Sequence, residues 1–262
     1  MFMQKFLTRS LLASCLVLST VTGAPLSAQQ AGGRDNGLSI TVMPMAVEVV
    51  APKVSEKITV RNNGRQPMKM QFRVYRWQKK NGQDFFAPTS DVVVTPPFVT
   101  IRPGADGVAR VMRVSKTPLA AEESYRVFID QVPPSRVRVD VSGVSSGVAM
   151  TLGQAIPAFF YPAGRATGAA AAATQVSAQP VFSVQAEGKN FQLSIINPTQ
   201  KRLRLSDIEL LAGGVVVARK KGLLGYALPG EQASFKISGK GGGIPDQIRY
   251  TSDAGRAEAH LQ

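Results

Sequence analysis

The chain has 262 residues, with 31 lysines and arginines against 17 acidic residues, a formal net charge of +14, one cysteine and one histidine. So few thiol and imidazole groups exclude the clusters on which most zinc sites, cysteine nucleophiles and serine triads are built. The charge points to an acidic partner, an anionic surface or nucleic acid, or simply to a solvated basic surface.

At the N-terminus, Lys5 and Arg9 precede an apolar run from Leu11 to Val21, and Leu26-Ser27-Ala28 follows. The run is too short to cross a bilayer and has the layout of a secretory signal peptide over residues 1–28, cut after Ala28. Leu12-Ala13-Ser14-Cys15 is a lipoprotein-like alternative, but it would leave Leu16-Val17-Leu18 stranded beyond the cut. Removing 28 of 262 residues leaves 234 in an exported chain, and the loss of Lys5 and Arg9 brings +14 to +12. Cys15 leaves with the signal, so stability has to come from packed cores rather than disulfides. No later stretch is long and apolar enough for stable membrane insertion.

Residues 39–50, 56–62, 68–78, 91–102, 107–114, 124–132 and 144–161 alternate Val, Ile, Phe, Tyr, Thr or Met with period two, and each reads as a strand. Asn62-Asn63-Gly64, Asn81-Gly82, Pro96-Pro97, Pro103-Gly104 and Pro133-Pro134 supply turns between them. Seven short strands over residues 29–162 fit an immunoglobulin-like sandwich. Residues 163–178 are rich in alanine and glycine and read as a linker, because five consecutive alanines are too few to nucleate a helix. Strand signals resume at 181–186, 191–196, 202–211, 214–218, 233–237, 247–250 and 257–261, giving a smaller second sandwich over 179–262. The expected class is all-β.

The residues offer little for catalysis. His260 stands alone beside the C-terminus, and Glu122-Glu123 and Asp253 lie beside arginines at strand ends, where they read as salt-bridge partners rather than an acid/base pair. Gly239-Lys240-Gly241-Gly242-Gly243 has no helix after it to present an N-terminus to phosphate and reads as a hairpin loop. Phe72-Arg73-Val74-Tyr75-Arg76-Trp77 interleaves cations with aromatics as single-stranded nucleic-acid binders do, but the same alternation describes a half-buried strand, and export removes the chain from most nucleic acid. No enzyme activity, metal or cofactor is expected.

Val144, Val148, Met150 and Leu152 share one face of an extended strand, while the other face carries only Ser145, Gly147, Ala149, Thr151 and Gly153. Periodicity leaves two readings open: the apolar row belongs to its own domain's core, or it is an edge offered to another protein by strand addition.

Several motifs together resemble the PapD-like periplasmic chaperones of the chaperone–usher pilus pathway. They are Thr95-Pro96-Pro97 leading through Pro103-Gly104 to Arg110, then Glu123-Ser124-Tyr125-Arg126 running to Val132-Pro133-Pro134. Ile156 to Phe160-Tyr161-Pro162, Asn197-Pro198-Thr199 and Asp253-Ala254-Gly255 complete the set. The resemblance implies two sandwiches in an L-shaped arrangement, a periplasmic location, pilin subunits and an outer-membrane usher as partners, and possible self-association of the free protein. It places Val148, Met150 and Leu152, with Val144 before them, on a strand lent to the pilin, and assigns Arg110, Glu123 and Asp253 to a salt bridge between the domains. Where the family holds two basic residues for the pilin's terminal carboxylate, this chain has Met45 and Pro157, so Arg126, with Arg113 behind it, becomes the expected anchor. These departures and the long connection from Pro134 to Val148 resemble the archaic or alternative branch. The competing reading is an exported basic sandwich protein that binds anionic cell-envelope polymers directly.

Overall fold

The computed structural model describes residues 38–133, 151–163, 179–239 and 243–262, and the regular secondary structure of these residues is all strand. The first ten are β1 (Ile40–Met43), β2 (Val47–Val50), β3 (Ser55–Asn62), β4 (Met68–Lys80), β5 (Gln83–Ala87), β6 (Val92–Thr95), β7 (Phe98–Ile101), β8 (Asp106–Arg113), β9 (Glu123–Gln131) and β10 (Gly153–Tyr161). They form one sheet of order β1-β3-β8-β6 and a second of order β2-β10-β9-β4-β5, with β7 also on β4. Facing rows such as Ile58 and Val60, Val127 and Ile129, and Ile156 and Phe160 are buried in the shared core.

The remaining strands are β11 (Val181–Glu187), β12 (Asn190–Ile196), β13 (Leu203–Ala212), β14 (Val215–Ala227), β15 (Gln232–Ser238), β16 (Gln247–Ser252) and β17 (Gly255–His260). Sheets β11-β12-β15 and β14-β13-β16-β17 enclose a second core around Phe182, Phe191, Leu193, Ile208 and Leu210. The chain is thus an all-β protein of two sandwiches, each using period-two strands to bury one face.

Three departures from the sequence reading have local causes. The strand expected over 39–50 breaks at Pro44, and its halves join different sheets. The strand expected over 91–102 breaks at Pro96-Pro97 in the same way. Proline donates no ladder hydrogen bond, so these are places where a strand can leave one sheet for the other. In the second sandwich β14 continues well beyond residue 218, through Arg219-Lys220-Lys221, and register shifts in its partner β13 accommodate the broken alternation.

Both sandwiches use a fully buried asparagine to clamp a corner. Asn62 donates from Nδ2 to the carbonyls of Gln66 and Ile101, and Asn197 donates to those of Lys201 and Ala227. Each also pairs through its backbone with a Pro-Gly turn, at Gly104 and Gly230. Two motifs noted in the sequence, Pro103-Gly104 and Asn197-Pro198-Thr199, are therefore parts of equivalent corners, with every buried polar group of the asparagine satisfied.

Candidate functional site

β10 is an interior strand of the second sheet, between β2 and β9. It runs antiparallel to β9, with Ile156 opposite Val127 and Pro157 opposite Arg126, and parallel to β2, with Phe159 opposite Glu48. Even-numbered Ile156, Ala158 and Phe160 enter the first core, while Phe159 and Tyr161 face the other way. Leu152 continues the even face, is half-buried and packs against the first core. Its carbonyl accepts from Gln131 N at 2.8 Å, and its own N–H donates to Gln131 Oε1 at 3.2 Å. Leu152 thus packs on its own domain. Val144, Val148 and Met150 lie outside the described residues.

On the outer face of this sheet, Trp77 of β4 and Phe159 and Tyr161 of β10 are buried together with Tyr226 and Leu228 of the second sandwich. Tyr226 meets the Trp77 ring edge-on, with centroids 5.6 Å apart. Nearby, Lys79 N donates to Glu231 Oε2 at 2.5 Å, and Ser234 N donates to the Gly82 carbonyl at 2.9 Å. The β4–β5 hairpin thereby seats on β15. Gly82 is required there, because a Cβ would lie 2.4 Å from the Ser234 hydroxyl, and its φ of +77° is strained for other residues.

Two arginines flank the aromatic cluster. Arg202, 7% exposed, lies 3.8 Å over the Phe159 ring and donates to the Tyr161 hydroxyl and to Glu48. Asp253 and Glu122 stand 3.5 and 3.8 Å from its guanidinium, and its backbone N–H donates to Glu122 at 3.2 Å. This buried charge is neutralised from both sandwiches, as a buried cation must be. Arg126 sits 4.0 Å over the Trp77 ring and makes no ion pair or hydrogen bond among the described residues. Burial holds its pKa below the ordinary arginine value, with the charge of Asp84 opposing the shift. Arg73 on the same strand face is paired, 2.7 Å from Asp130.

The trio expected between the domains is not assembled. Arg110 faces solvent, because on β8 the odd residues Ala109 and Val111 take the core positions. Glu123 lies within the first sandwich, where Arg113 grips it through two bonds of 2.9 and 3.0 Å and the Tyr125 hydroxyl donates to it at 2.9 Å. Desolvation pushes the Glu123 pKa up, but these donors outweigh it and hold the carboxyl below its usual range. Only Asp253 reaches the interface, and the cation it meets is Arg202. The same geometry removes Arg113 as an anchor for a ligand, since its fork is already committed to Glu123.

Met45 is exposed, with Gln154 Nε2 3.5 Å from its sulfur, and Pro157 is buried beside Arg126, so neither offers a charge. Arg202, Trp77, Glu48 and Tyr226 escaped the sequence reading. Their one signal was placement: Arg202 follows Asn197-Pro198-Thr199 at the start of an alternating strand, and Trp77 ends the alternation that starts at Phe72. Among the described residues no group of His, Cys, Asp and Glu could hold a metal ion, and no helix is long and apolar enough to cross a membrane.

Residues 39–166 match the family model described as pili and flagellar-assembly chaperone, PapD N-terminal domain. Among solved structures, the chaperone–tip adhesion subunit complex of the archaic Csu pili of Acinetobacter baumannii aligns at 22% identity over 85% of this chain and 98% of that one, with a TM-score of 0.64. The Salmonella enterica SafB chaperone complex with SafA pilin aligns at 19% identity over 86% and 97%, with a TM-score of 0.58. The Escherichia coli chaperone DraB aligns at 21% identity over 86% and 99%, with a TM-score of 0.54. At these identities the likenesses show a shared fold. A search of curated protein sequences found no match.

Proposed function

We propose that the protein is a periplasmic chaperone that folds pilin subunits by lending them a strand and hands them to an outer-membrane usher, because residues 39–166 match the model of the PapD N-terminal domain of pili and flagellar-assembly chaperones. The family match carries the reading. It is supported by two solved complexes of the same fold, which hold a pilin in one case and a tip adhesion subunit in the other. The signal-like segment over 1–28 would deliver the chain to that compartment.

The physical logic is complementation. An immunoglobulin-like subunit that lacks a strand exposes an apolar groove and a row of unpaired backbone groups, and a strand supplied from outside satisfies both. The lent segment is Val144, Val148, Met150 and Leu152, continuous in parity with the core face of β10. Each large side chain filling the groove contributes roughly 1.5–3 kcal/mol, and each ladder bond adds roughly 0.5–1.5 kcal/mol. Arg126 is the anchor for the subunit's terminal carboxylate: it lies one strand from β10, desolvated and without a counter-ion among the described residues. A charge-assisted bond formed there is stronger than one in water.

The test is co-expression with a pilin lacking its own final strand, followed by purification through the pilin. Leu152→Asp abolishes capture, and because Leu152 also packs on its own core the unfolding midpoint of the free protein is expected to fall while staying well above the assay temperature. Capture undiminished by that change would overturn the strand assignment.

A further inference from the structure

We propose that Trp77 is the positioning residue for Arg126, holding its guanidinium face-on so that it receives a chain-terminal carboxylate. This rests on the anchor role of Arg126 given above and extends it to the residue that sets its orientation.

Three observations carry it. First, the Arg126 guanidinium lies 4.0 Å over the indole. A cation stacked on an aromatic face keeps its in-plane N–H donors free for a ligand, and indole is the strongest such platform. Second, the indole is itself fixed. Its Nε1 donates to Asp84 Oδ1 at 2.7 Å, the Tyr226 ring stands nearly perpendicular to it with centroids 5.6 Å apart, and the Phe159 ring centroid is 6.0 Å away. Trp77 is 2% exposed, so the platform does not turn. Third, Asp84 is kept from neutralising Arg126. The same Oδ1 also accepts from Lys79 Nζ at 2.6 Å, and Asp84 reaches Arg126 only through its field. Among the described residues the guanidinium rests on the Trp77 ring and pairs with no carboxylate, so its charge remains for an incoming carboxylate. Pro157, opposite Arg126 in the β10 register, adds no competing charge.

Trp77 is the only tryptophan of the chain, so its emission reports directly on this site. The probe is an N-acetylated peptide of about ten alternating valine and serine residues, long enough for a strand, prepared with a free C-terminal carboxylate and with a C-terminal amide. In the full-length mature protein the acid binds roughly tenfold more tightly than the amide, and the acid alone shifts the Trp77 emission. Arg126→Ala binds acid and amide equally. Trp77→Leu also reduces the acid-to-amide ratio toward one, and Trp77→Phe, which keeps an aromatic face, retains most of the preference. A wild-type protein with no acid preference would overturn the anchor role and this inference together. An acid preference that is lost in Arg126→Ala but kept in Trp77→Leu, or acid binding that leaves the wild-type emission unmoved, would overturn the positioning role alone. The emission measurement needs no variant, so it decides the matter even if Trp77→Leu does not fold.

Discussion

Arg126 and Arg202 lie against the same aromatic cluster and differ in one respect that separates their roles. Arg202 is surrounded by Glu48, Glu122, Asp253 and the Tyr161 hydroxyl, and it belongs to the second sandwich while Glu48, Glu122 and Tyr161 belong to the first. Arg126 has an indole beneath it and no carboxylate in contact among the described residues. A buried cation with its counter-charges in place is part of the scaffold, because removing it strands those charges. A half-buried cation without one has binding capacity to give.

The comparison breaks most visibly at Arg202. Arg202→Ala leaves Glu48, Glu122 and Asp253 without their cation and is expected to lower stability by about 3 kcal/mol, measured by urea denaturation at pH 7. A loss below about 1 kcal/mol, the range of exposed ion pairs, would move Arg202 out of the scaffold. Arg126→Ala should show the opposite profile. Stability falls by only about 1 kcal/mol, the scale of a lost cation–π contact, while capture of a pilin with a free terminal carboxylate weakens roughly tenfold. Equal effects of the two substitutions on stability would erase the distinction.

A third pair of measurements sharpens the contrast within the first sandwich. The Glu123 pKa is held below its ordinary value of 4.5, so its pairing with Arg113 contributes stability that is complete above that value and is lost as pH falls through the lower folded value. Glu123→Gln should therefore lower stability at pH 7 by about 1.5–3 kcal/mol, the range for a hydrogen bond to a charged group, and the difference should shrink as acid protonates the carboxyl. Glu231 supplies the smallest effect and the opposite sign. Burial raises its pKa, with the Lys79 N–H opposing, so ionisation costs stability as pH rises through 4.5 and acid relieves the cost. Glu231→Gln, which can still accept from Lys79 N, should give a small gain at pH 7 that vanishes below pH 4.5. A loss at pH 7 would mean that the charge itself holds the β4–β5 hairpin.

Much of the fold was legible because strands with one buried face alternate visibly. β4, β8 and β9 carry that alternation cleanly, and Pro103-Gly104 and Asn197-Pro198-Thr199 mark the corners that two buried asparagines clamp. β5 was missed because its Gln-Asp-Phe-Phe-Ala has no period of its own and is held as a strand by pairing with β4. The far half of β14 was missed because three consecutive cations and two glycines break the pattern, and pairing with β13 restores it. At the site, Arg126 was legible as a cation on the strand next to the last strand of the first sandwich. The role of Arg202 was not, since its partner Glu48 is 154 positions away and nothing local to either residue announces the other.

The sequence by itself determined a cysteine-poor, all-β chain of two sandwiches, with no charge where Met45 and Pro157 stand. Those properties follow from composition and from short-range periodicity, which every local segment carries. Only the tertiary structure decided which arginine is neutralised and which has no counter-ion among the described residues. That depends on the few ångströms between side chains brought together from both sandwiches, a distance that alternation along one strand does not encode.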